Sequence, residues 1–153
     1  MAKLRPIRHI TAQKVVKFFS EPLKPGNCVL KESQKLYRKG FPPRFVRNYH
    51  LEKPPAELHL HEDDIFLCLD GSAQLIVGGK IINPWTKDGL TFLADGIKGG
   101  KKLVLRKGDV LHIPAGQSHQ IFTRDLCNFV VIKVTPPEGK VRLGYLRRIK
   151  IKR

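Results

Sequence analysis

The chain has 153 residues, 41% of them apolar, which is enough for one domain with a substantial core. Its 29 Lys and Arg outnumber its 13 Asp and Glu, but no stretch approaches the ~20 apolar residues of a membrane helix. No apolar run of signal-peptide length follows the basic start, so a soluble cytoplasmic protein is the expectation.

The charge is unevenly spread. Residues 1–50 hold 12 basic and 2 acidic side chains, residues 51–132 hold 9 and 10, and residues 133–153 hold 8 and 1. Basic ends of this kind suit nucleic acid, anionic lipid or acidic partners, and more often form only a solvated surface. Cys28, Cys68 and Cys127 are odd in number and lack CxxC spacing, which favours buried free thiols over disulfides or ligands.

In chain order, residues 1–10 look like a basic arm or edge strand. Thr11 to Phe19 fits a short helix with Thr11 as N-cap, or a strand. Cys28 to Leu30 is a short strand candidate, and Lys31 to Gly40 is polar and irregular. Phe45 to Leu51 is a strand. From Ala56 to His61 the residues alternate, with Glu57, His59 and His61 on one face and Leu58 and Leu60 on the other. Ile65 to Leu69 is a buried strand closed by Asp70-Gly71, and Ala73 to Val77 follows up to Gly78-Gly79. Lys80 to Ile82, Leu90 to Ala94, Lys101 to Arg106, Val110 to Ile113, Gln120 to Arg124 and Asn128 to Thr135 are further short strands. Turns at Gly108-Asp109, Pro114-Ala115-Gly116 and Asp125 punctuate them. Many short strands at this spacing predict an all-β sandwich or barrel.

Two segments carry chemistry. His59 and His61 are followed at once by Glu62, Asp63 and Asp64, and His119 comes after the turn at Pro114 to Gly116. Imidazoles and a carboxylate on a rigid sheet suit a divalent transition metal. The pattern His59-x-His61…Asp64-x6-Gly71 resembles the first motif of the cupin superfamily. Gly108-x5-Pro114-x-Gly116-x2-His119 resembles the second. Ala56-Glu57-Leu58-His59, Asp64-Ile65-Phe66 and Gly78-Gly79 are similar to small single-domain cupins over about residues 54–136.

This resemblance implies an all-β cupin double-stranded β-helix, or jelly-roll barrel, at 51–136. A basic N-terminal extension at 1–50 would pack on it, and a basic tail would follow at 137–153. It implies His59, His61, Asp64 and His119 as ligands of a divalent ion (Fe, Mn, Ni, Zn or Cu). The spacing from His61 to Asp64 is shorter than the family's, which leaves Glu62 or Asp63 as alternative carboxylates. Thr123 stands where an Asn often closes the second motif, so hydrogen bonding behind the ligands differs. The function implied is a metal-binding cupin that binds or transforms a small molecule, with dioxygenase-like or isomerase-like chemistry among the options. The alternatives are a non-catalytic small-molecule binder and a nucleic-acid-associated module acting through the basic ends. The resemblance also implies a homodimer. His112 lies on the strand before Pro114 in a structural or surface role. Trp85, Phe92 and Phe66 are core residues or pocket lining.

Overall fold

The described residues, 6–86 and 88–135 of the computed structural model, fold into two short helices and eleven strands. The tail expected at 137–153 lies outside them. Among the described residues no helix is long and apolar enough to cross a membrane.

The first helix, α1 (Ala12–Ser20), starts at Thr11, whose hydroxyl accepts from the Lys14 amide at 3.4 Å. Its inward residue is Phe18. Beyond its end, the buried Arg47 guanidinium donates to the carbonyls of Phe18 (3.1 Å), Glu21 (2.9 Å) and Pro22 (3.3 Å). These carbonyls belong to the last turn of α1 and the two residues beyond it, and the Phe18 carbonyl also accepts from the Glu21 amide at 3.4 Å. Strand β1 (Gly26–Val29) follows. The segment expected to be irregular then forms α2 (Lys31–Tyr37). No side chain caps its start, and its fixing point is Ser33. The buried Ser33 hydroxyl donates to the Leu30 carbonyl at 2.8 Å and accepts from the Phe45 amide at 3.3 Å. Tertiary packing, invisible to local periodicity, supports such short helices.

The remaining strands are β2 (Pro43–Leu51), β3 (Ala56–His59), β4 (Asp63–Val77), β5 (Lys80–Ile82), β6 (Trp85–Thr86) and β7 (Thr91–Ala94). They continue with β8 (Gly96–Lys98), β9 (Lys101–Arg106), β10 (Val110–Ile113) and β11 (His119–Val134). All pairings are antiparallel. One sheet runs β1-β2-β11-β4-β10. The other runs β9-β4-β11-β3-β7-β6, and β5 and β8 form a separate pair. The long strands β4 and β11 belong to both sheets, which closes them into a barrel. The sheet also crosses residue 50, because β2 begins at Pro43 and pairs with β11 over most of its length.

Asp70-Gly71 and Asp125 were expected to be chain-reversing turns. Both instead lie within continuous strands that bend. The β4–β11 register shifts between Phe122 and Cys127, a bulge that re-aims the strand. Gly71 sits opposite it at φ +75°, and a Cβ there would collide with the Leu126 carbonyl. The core between the sheets includes Val46, Phe66, Cys68, Leu75, Leu105, Phe129 and Val131. Leu58, Leu60 and Phe92 form a smaller cluster. All three cysteines are free, with the buried Sγ atoms of Cys68 and Cys127 3.7 Å apart.

Replacing Gly71 with Ala combines a left-handed backbone with a main-chain collision. The expected cost is roughly 3 kcal/mol or more in chemical denaturation. An unchanged midpoint would show that the crossing of β4 and β11 does not depend on this glycine.

Candidate metal centre

Strand register builds the site. β11 places His119 directly opposite Glu57 of β3, and His59 lies two residues further along β3 on the same face. At the other end of β11, Lys133 is the direct partner of Asp64 on β4. Along β4 the buried residues Asp64, Phe66 and Cys68 alternate with half-buried ones, so the Asp64 carboxylate points into the barrel. These residues meet at a cavity of about 250 Å³ lined by Arg44, Asn48, Glu57, Asp64, His119 and Lys133 and walled by apolar side chains that include Phe66 and Phe129.

Both imidazoles direct Nε2 into the cluster. His59 Nε2 is 3.3 Å from Glu57 Oε2 and 3.4 Å from Asp64 Oδ2. His119 Nε2 is 3.4 Å from Asp64 Oδ2 and 4.0 Å from Glu57 Oε2. Behind the cluster, His59 Nδ1 lies 3.4 Å from the Thr91 hydroxyl, the kind of outer contact that orients a metal-binding imidazole. The ligand atoms of Glu57, His59 and His119 all fall within 4.8 Å of one another. Two imidazoles and a carboxylate so arranged could hold a divalent transition ion. Lys133 enters the same space, with Nζ 2.6 Å from Asp64 Oδ1, 2.9 Å from His59 Nε2 and 3.2 Å from Glu62 Oε1.

The structure thus brings together His59, Asp64 and His119 from the expected ligands. His61 stands apart. β3 ends at His59, so the period-2 alternation stops before it reaches His61. The His61 side chain is one-third exposed and lies 3.7 Å from Glu62. Among the alternative carboxylates, Glu62 accepts from the Tyr37 hydroxyl at 3.1 Å and faces Lys133. Asp63 turns away, toward His112 Nε2 (2.8 Å) and the Ala115 amide (2.7 Å). Asp63 therefore ties β4 to both β10, through His112, and the Pro114 turn, through the Ala115 amide. Of the three aromatics, Phe66 lines the cavity, Phe92 is core and Trp85 is exposed.

Burial works against charge on both imidazoles. For His59, hydrogen bonds to Asp64 and Glu57 outweigh it and raise the pKa to about 9. For His119 burial prevails over the pull of Glu57 and Asp64, and the pKa falls below its ordinary value. Asp64 is also desolvated, but His59 and Lys133 hold it well below the usual carboxylate range.

No family model matches the chain, and no curated protein matches it. Solved structures do. The cupin domain of Drosophila melanogaster CENP-C is 14% identical, with a TM-score of 0.47 over 63% of this chain and 59% of that one. A cupin protein from Bacteroides fragilis is 17% identical, with a TM-score of 0.44 over 78% and 85%. The DMSP lyase DddQ from Ruegeria pomeroyi is 19% identical, with a TM-score of 0.43 over 64% and 40%. The chain spans about three fifths of the length of the CENP-C structures. The two antiparallel sheets joined through β4 and β11 form the all-β barrel that the resemblance implied.

Sequence reasoning missed three residues of the site. Glu57 was visible on the face of His59 but not read as a donor. Arg44 belongs to a segment read as lying outside the barrel. Lys133 was counted with the basic C-terminal end. Its signal was the alternation Phe129, Val131, Lys133, which places a lysine on an otherwise apolar face.

The two histidines make stability depend on pH in opposite senses. His59, raised to about 9, contributes stability that is complete below about pH 6.5 and lost as pH rises toward 9, on the order of 3 kcal/mol. His119, lowered by burial, contributes stability present above about pH 6.5 and lost as pH falls. Chelator-treated protein should therefore melt highest near pH 6.5. A melting temperature that climbs steadily from pH 6.5 to 9 would contradict the assignment for His59.

Proposed function

We propose that this cupin binds a small molecule in its cavity, beside a divalent transition ion held by Glu57, His59 and His119 with Asp64. The observation that carries the reading is the convergence of three ligand atoms within 4.8 Å at the edge of the 250 Å³ cavity. The proposal keeps His59, Asp64 and His119 from the ligands the resemblance implied and takes Glu57 in place of His61. An ion bound there would supply Lewis-acid polarisation and open positions for a ligand.

The protein's own residues do the remaining work. Phe66, Phe129 and Val131 exclude water and give an apolar ligand body a wall to pack on. Asn48 and Arg44 offer hydrogen-bond donors along the same cavity. Among the described residues no carboxylate lies within ion-pair distance of Arg44, whose Nε is buried without a hydrogen-bond partner. The nucleic-acid alternative gains nothing from the arginines of β2. Arg44 lines the cavity and Arg47 is buried against α1.

Protein prepared without an affinity tag, stripped and then titrated with Co(II), should bind about one ion per chain. His119→Ala should weaken that binding by roughly tenfold or more. Equal binding by the two proteins would remove His119 from the site. Homodimerisation through the barrel's sheets belongs to the same reading, and light scattering should report a particle of two-chain mass. A single-chain mass at micromolar concentration would discard it.

A further inference from the structure

We propose that Lys133 is the resident cation of this centre, and that its ammonium and a divalent ion occupy the same position in alternation. The inference rests on the metal assignment above and adds the residue that decides when the site is open to metal. A lysine ammonium has three donors. Two of them meet acceptors, Asp64 Oδ1 at 2.6 Å and Glu62 Oε1 at 3.2 Å, and Nζ also lies 2.9 Å from His59 Nε2. The side chain is only 7% exposed. It is an internal ion pair, delivered by the direct Lys133–Asp64 pairing of β11 and β4.

The conflict with a metal lies beside one atom. A transition ion bonded to His59 Nε2 would replace its proton and sit ~2.0–2.1 Å away, and Lys133 Nζ already stands 2.9 Å from the same atom. Two cations so placed against one imidazole and one carboxylate repel each other. Lys133 also lines the cavity, so its flexible four-carbon stem has room to withdraw into it. The apparent metal affinity of the chain is then the intrinsic affinity scaled by the fraction of molecules in which Lys133 has withdrawn.

The test is a Co(II) titration of wild type, Lys133→Met and Arg44→Met, read from the visible absorption of the bound ion. Lys133→Met should bind at least roughly tenfold more tightly than wild type. Arg44→Met removes a positive charge from the same cavity without touching Asp64, and should change the affinity by less than roughly threefold. A second measurement needs no variant. Lys133 in the full wild-type chain should resist acetic anhydride without metal and become labelled at saturating Zn(II), as read by peptide mass spectrometry. Should Lys133→Met fail to fold, this labelling decides. Equal Co(II) affinities, an equal gain from Arg44→Met, or unchanged labelling would overturn the inference and leave the metal assignment standing. No Co(II) binding by either wild type or Lys133→Met would overturn both.

Discussion

Three carboxylates, Glu57, Glu62 and Asp64, converge on one end of the barrel, and Asp64 there is almost wholly out of water. An uncompensated buried carboxylate is among the most costly features a fold can carry. The position between Asp64, Glu62 and His59 therefore demands a positive charge, and Lys133 supplies it from the neighbouring strand. One ammonium does not balance three carboxylates. The residual negative potential draws a proton onto His59 and would equally draw a divalent ion.

The geometry of this cluster follows from the two strands that both sheets share. β11 carries His119 at its first residue and Lys133 near its last, and β4 carries Asp64 near its start. A strand long enough to serve two sheets must bend, and the bulge after Phe122 together with the left-handed Gly71 provides the bend. The N-terminal segment completes the wall. Arg47 fastens α1 to the outside of β2, while Arg44, Val46 and Asn48 on the same strand face the cavity. Part of the positive charge that dominates the composition is thus spent inside the structure.

Much of this was legible in the sequence. The short alternating strands announced a barrel, and the spacing from Gly108 to His119 located one imidazole. Both depend on local turn chemistry and side-chain period, which sequence encodes directly. The failures share a cause. Reading Asp70-Gly71 and Asp125 as turns relied on their local preference, which the pairing of β4 with β11 overrides. Lys133 escaped notice because its role is fixed by a partner 69 residues away, and a lysine near a basic tail resembles every other lysine in it.

The shared strands also bear on how the molecule is made. β11 is the last described strand, and it pairs with β2, β3 and β4. Until it leaves the ribosome, β2 and β4 each lack a neighbour, and Asp64 lacks its cation. Nascent chains with open strand edges are prone to stick to one another. Pairing between strands so distant in sequence is also slow. The barrel thus closes in one late event, and that event simultaneously finishes the sheets, buries the core and assembles the charged cluster.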